Sequence, residues 1–168
     1  MEICTIGFTK HTAEGFFGIL RDEGVTQLID VRLNNVSQLS GFAKRDDLRY
    51  FLGHICEADY IHEPDLLAPT AELLKSYRNK EIDWQEYESR FLDLIEARRI
   101  EEELSPDFFE PRTALLCSEN SAKRCHRRLV VDYLRQHWSD VSALHLPREN
   151  GNTRPDSARN TDSTPGKA

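Results

Sequence analysis

The sequence predicts one α/β domain of three layers, a mainly parallel sheet with helices on both faces, interrupted by a helical insertion. Three observations carry this. Short β-prone runs alternate with amphipathic helical stretches along most of the chain, the pattern of parallel strands joined by helical crossovers. The 168 residues, 39% hydrophobic and 30% charged, suit a single domain with a sizeable core. The apolar runs are short, such as Leu28-Ile29 and Leu115-Leu116-Cys117, far below the length that spans a bilayer. The domain is expected over 1–147, with the insertion at about 69–104.

Ile3-Cys4-Thr5-Ile6 reads as the first strand and ends at Gly7. Thr12 then caps a helix whose Phe16, Phe17, Ile19 and Leu20 share one face, with Gly24 as its stop. The second strand is expected over Val25 to Val31, and a polar stretch from Arg32 to Ser40 follows. Asp46 or Asp47 is the expected cap of a helix carrying Leu48, Phe51, Leu52 and Ile55. Asp59-Tyr60-Ile61-His62 is a third strand, which Glu63-Pro64 ends because proline lacks a ladder donor.

Pro69-Thr70 opens the insertion with a helix bearing Leu73, Leu74 and Tyr77. Asp83, with Glu86 three residues on, resembles a capping box ahead of Trp84, Tyr87, Phe91, Leu94 and Ile95. These aromatics are assigned to the core. The remaining charge there (Asp83, Glu86, Glu88, Arg90, Asp93, Glu96) reads as a solvated helix face. Thr113 to Cys117 is a buried strand, a helix begins near Cys125, and Val141 to Leu146 is the last strand. Residues 148–168 contain no aromatic side chain and read as a disordered tail, since they cannot bury enough apolar surface to offset ordering entropy.

The net charge of −7 argues against a whole-surface polyanion binder. Four cysteines in a chain of this length make no dense disulfide framework, and the start lacks a secretory apolar stretch; a cytoplasmic protein with free thiols is expected. No cofactor and no membrane partner is expected, and the oligomeric state is left open.

Ligands of parallel α/β sheets lie beyond the carboxyl ends of the strands, and these ends are polar: Gly7 to Lys10, Asp30 to Asn35, His62-Glu63, and Cys117 to Asn120. The fourth is the most informative. From Cys117 to Arg128 there are four Lys/Arg against one Glu, a local charge of +3 on an acidic protein. Arg127 and Arg128 in a first helical turn oppose the helix dipole, which suits a compensating anion there, or Glu119 and Asp30. The bland alternatives are a structural Asp30–Arg32 ion pair, an Arg127 paired with a carboxylate, and Cys117 and Cys125 as small buried residues.

Assembled, these residues resemble the family catalogued as domain of unknown function 488. The resemblance rests on Thr5-Ile6-Gly7, Asp30-Val31-Arg32, Ser37 to Phe42 with Lys44, His62 to Leu66, and most specifically Leu116-Cys117-Ser118-Glu119 followed by Cys125-His126-Arg127-Arg128-Leu129. It implies an α/β fold with these motifs around one site, and no reaction. Phe8-Thr9 stands where the family often has His-Ser, so a first-loop histidine role would have to pass to His11.

The leading expectation is a site for an anionic small molecule or nucleic-acid ligand, above all a phosphate-bearing one. Gly7, Thr9, Arg32, Lys44, Glu63, Ser118, Cys125 and Arg127 would bind it, with Asp30 or Glu119 as general base, His126 as proton carrier and Cys117 beside them. The rival is a thiol or sulfur-transfer enzyme: Leu28 to Arg32 is similar to a rhodanese strand motif, and Cys117 stands where such enzymes carry their nucleophile. Against it, a Cys-x5-Arg cradle would need arginine at Lys123, and the loop has no glycine. A metal site is not expected, because adjacent Cys125 and His126 on one helix should point apart. A non-catalytic interaction module using the insertion is the remaining alternative.

Overall fold

The computed structural model describes residues 1–36 and 39–148; the expected tail beyond 148, with Ser37 and Gln38, lies outside them. The strands β1 (Glu2–Gly7), β2 (Gln27–Asp30), β3 (Asp59–His62), β4 (Thr113–Cys117) and β5 (Ser142–His145) form one all-parallel sheet in the order β3-β2-β4-β1-β5. β3 and β4 have the expected bounds. β2 starts two residues late because Val25 N–H is spent on Leu20 O, closing the preceding helix. At β5, Leu146 N–H still reaches Thr5 O, and Pro147 then ends the pairing.

Helix α1 (Ala13–Asp22) is capped by Thr12, whose Oγ1 accepts from Gly15 N–H at 3.1 Å. Helix α2 (Arg45–Phe51) begins ahead of its expected caps, since Asp46 pairs with Arg45 at 2.9 Å rather than turning to the helix start. It runs on into a π-helical turn, Leu52–Cys56. Short α3 (Pro64–Leu67), then α4 (Ala71–Arg78), α5 (Trp84–Ala97) and α6 (Ile100–Glu103) make up the stretch before β4, and α7 (His126–His137) joins β4 to β5.

Neighbouring strand residues face opposite layers. Cys4, Leu28 and Leu116 pack with Phe16, Phe17, Leu20, Leu48 and Leu52 of α1 and α2. Ile3, Ile29 and Leu115 pack with Phe91 and Ile95 of α5 and Leu129 and Val130 of α7. Strands buried on both faces read as nearly continuous apolar runs, and each such Leu, Ile or Phe contributes roughly 1.5–3 kcal/mol.

This topology positions the site. From β1 the chain crosses through α1 to β2, on one side; from β4 it crosses through α7 to β5, on the other. The two connections diverge on opposite faces and leave a crevice at the carboxyl ends of β1 and β4, where ligands of such sheets bind. The residues paired at that edge are Gly7 and Cys117.

Candidate functional site

Cys117 ends β4 with its side chain on the α5–α7 face, and the backbone then passes over Gly7. A Cβ at position 7 would lie 1.7 Å from Glu119 O, so only glycine lets the 118–120 turn approach β1 this closely. Two residues hold the turn. Thr9 donates to Ser118 O through both its N–H (3.3 Å) and its Oγ1 (2.8 Å). Arg127, almost fully buried, donates to Glu119 O at 2.5 Å and Asn120 O at 3.2 Å, and to Cys125 Sγ at 3.2 Å. The expected anion ligand Arg127 thus spends its two terminal nitrogens on the turn's own carbonyls and on Cys125 Sγ, and its Nε is left without a partner.

His126, the first residue of α7, sits against Phe91 with ring centroids 5.4 Å apart. Its Nε2 lies 2.8 Å from Val31 O. A carbonyl only accepts, so Nε2 carries a proton and Nδ1 is the face left for chemistry. Nδ1 meets Cys117 Sγ at 3.8 Å.

The electrostatics follow from these contacts. The Cys117 thiol is held well below its ordinary range, first by a hydrogen bond from Cys125, then, against the opposing effect of burial, by the His126 charge and hydrogen bond and by Arg127. Burial would lower His126, but the Cys117 charge, its hydrogen bond and the Val31 carbonyl outweigh that and raise it. Burial and the neighbouring Cys117 push Cys125 well up. These contacts all favour a Cys117 thiolate beside a His126 imidazolium, with Cys125 held as a neutral thiol.

The expectation that Cys125 and His126 point apart does not hold. Cys125 is the cap residue, with extended backbone (φ −144°, ψ 135°), so the angular spacing of a helix does not apply to it. Cys117 Sγ, Cys125 Sγ and a His126 ring nitrogen lie within 4.8 Å of one another. Three such donors can hold a soft cation, one short of the four that a closed structural zinc takes.

Asp30, expected as a general base, is fully buried behind the site. Its carboxylate accepts from Arg32 Nε and Nη2, both at 2.7 Å, and from Tyr60 Oη at 2.6 Å. Burial, then the Asp30 charge, pushes the Tyr60 phenol up, so it stays a donor. The ion-pair reading of Asp30-Val31-Arg32 is the one the geometry matches. Arg32 also donates to Ala43 O at 2.9 Å and stacks over Phe8 at 5.2 Å, leaving Nη1 without a partner.

A cavity of about 580 Å³ opens over Cys117. Of the expected site residues, Arg32, Cys117, Ser118, Glu119, Cys125 and His126 line it. Gly7, Thr9 and Arg127 do not line it but hold the turn that carries Ser118 and Glu119, while Asp30, exposed Lys44 and half-buried Glu63 are not on its wall. His11 packs against Phe16 instead. The sequence reading missed the opposite wall, formed by the insertion: Lys75, Tyr77 and Arg78 of α4, and Trp84 and Tyr87 of α5. Its signal was the interleaving of Lys75, Tyr77 and Arg78 on one short helix. Thr70 and Asp83 fix these helices by accepting from Leu73 N–H (3.2 Å) and Glu86 N–H (2.9 Å), and Arg98 ties α5 back to Leu66 O and Ala68 O at 3.0 and 2.6 Å.

A family model described as Domain of unknown function DUF488 matches residues 12–134, from the cap of α1 through most of α7. Neither a curated protein nor a solved structure matches the chain.

Proposed function

The chain belongs to the DUF488 family, and we propose that its rim pocket is the active site of a thiol-dependent enzyme acting on a small anionic substrate. The observation that carries this is the Cys117–His126 contact of 3.8 Å, with the imidazole oriented from behind by Val31 O. A nucleophile beside a base that a third group orients is the general arrangement of covalent catalysis. Cys117 thiolate attacks the substrate, and His126 Nδ1–H hands its proton to the leaving group. No cysteine–arginine cradle is required, because the thiolate is stabilised by His126, Cys125 and Arg127.

The anionic character of the substrate rests on the wall: Lys75, Arg78 and Arg124 face the pocket against one carboxylate, Glu119, beside Arg32, whose charge is paired with buried Asp30. A cationic cleft raises the local concentration of anions. Alkylation of the four cysteines, followed by peptide mass spectrometry, tests both parts. Cys117 is expected to react with iodoacetamide at pH 7 nearly as fast as at pH 9, whereas an ordinary thiol slows about tenfold per pH unit below its pKa. Iodoacetate is expected to gain on iodoacetamide at Cys117, relative to the same two reagents on glutathione. An inert Cys117 at pH 7, or a protein purified with one equivalent of zinc on these sulfurs, would overturn the reading.

A nucleotide is the second reading of the ligand, favoured by Trp84 beside Tyr77 and Tyr87 at centroid distances of 5.8 and 5.4 Å, a surface suited to base stacking. Protection of Cys117 from alkylation by nucleoside monophosphates, but not by inorganic phosphate, would support it.

A further inference from the structure

Cys125 has no part in the mechanism above beyond its hydrogen bond, yet its sulfur is within 4.8 Å of both Cys117 Sγ and the His126 ring nitrogen. We propose that Cys125 is a resolving thiol, so that Cys117 and Cys125 together form a dithiol exchange centre whose substrates are anionic disulfides. This rests on Cys117 being the nucleophile, and it narrows the substrate class. Attack by Cys125 on the Cys117 sulfur is productive only when that sulfur carries a group that leaves with its electron pair, as a thiolate does in a mixed disulfide.

The steps balance as follows. Cys117 thiolate attacks one sulfur of R–S–S–R, the S–S bond breaks, and the departing R–S⁻ takes the proton of His126 to leave as R–SH. His126 is now neutral at Nδ1 and takes the Cys125 thiol proton. Cys125 thiolate attacks Cys117 Sγ, a Cys117–Cys125 bond forms, and the second R–S⁻ leaves with the proton held by His126. The substrate disulfide has been reduced by two electrons and the protein dithiol oxidised by two.

The surroundings fit this order. Before the first step Cys125 is kept protonated by burial and by the Cys117 charge, so it does not compete as a nucleophile. Once Cys117 carries R–S its charge is gone, while Arg127 Nη1, 3.2 Å from Cys125 Sγ, remains to stabilise the new thiolate. A disulfide needs sulfurs about 2.05 Å apart, so Cys125 must move inwards; it sits outside the regular helix, at the end of the largely exposed 119–124 turn.

Dithionitrobenzoate, an anionic disulfide whose thiolate is coloured, tests the proposal on the full chain, with mass mapping of the peptides that carry Cys117 and Cys125. Wild type is expected to release two thionitrobenzoates for each Cys117 that reacts, leaving a Cys117–Cys125 disulfide two hydrogens lighter and no adduct. Cys125→Ser is expected to release one and keep the adduct on Cys117. A stable adduct on Cys117 in wild type, with Cys117 still alkylated rapidly at pH 7, would overturn the resolving role alone. Failure of Cys117 to react with either reagent would overturn the nucleophile reading and this one with it. The wild-type stoichiometry decides the matter even if the serine variant folds poorly.

Discussion

At Gly7 a single added methyl group meets the carbonyl oxygen of Glu119 at 1.7 Å. The contact is backbone rather than a pliable side chain, so Gly7→Ala has to lift the 118–120 turn. The expected cost is about 1–3 kcal/mol in urea denaturation, together with slower alkylation of Cys117 at pH 7 as its distance to His126 opens. An alanine variant with unchanged alkylation would show that the turn does not set the Cys117 geometry. The same scale explains the reach of a sequence reading. Glycine after a strand, a cysteine at a strand end and a histidine at a helix start are visible as types and spacings. Whether Arg127 turns outwards to a ligand or inwards to Glu119 O and Asn120 O depends on where the preceding turn lies, which no local pattern records.

At the scale of elements, α4 and α5 make one wall of the pocket, and their placement depends on their caps. Asp83→Ala removes the acceptor of Glu86 N–H and is expected to lower stability by about 1 kcal/mol in urea denaturation, with little effect if the start of α5 frays in the wild type. Caps and apolar spacing made these helices, and the strands β3 and β4, legible in the sequence. The role of their aromatic residues was not: Tyr87 is buried, as a core assignment requires, and at the same time lines the cavity beside Tyr77 and Trp84. Periodicity reports which face of a helix is covered. It does not distinguish cover by a neighbouring helix from cover by the wall of a cleft.

For the whole molecule, the net charge of −7 coexists with a cationic pocket, and among the described residues no helix is long and apolar enough to cross a membrane. The buried Cys117–His126 pair also imprints a pH profile on folding. His126 is raised from 6.5, so its contribution to stability is complete below that pH and is lost as pH climbs through the folded value. Cys117 is lowered from 9.0, so its contribution is complete above that pH and is lost as pH falls through the folded value. Between about pH 6.5 and 9 the two contributions run in opposite directions with pH and offset one another. Measured against the double variant Cys117→Ser/His126→Asn, wild-type stability is expected to vary across that window by less than the roughly 1.4 kcal/mol per pH unit that either group would give alone. A variation at that full slope throughout the window would contradict opposed titrations of the pair.

The hydrogen bond from His126 to Val31 O joins residues 95 apart in the chain, and it exists only after β2, β4 and the start of α7 have come together. While the chain is being synthesised, Cys117 is an ordinary thiol among four, with no oriented imidazole beside it. On the function proposed above, the reactivity of Cys117 is withheld until assembly is complete, and a misfolded or truncated chain lacks the imidazole that would activate it.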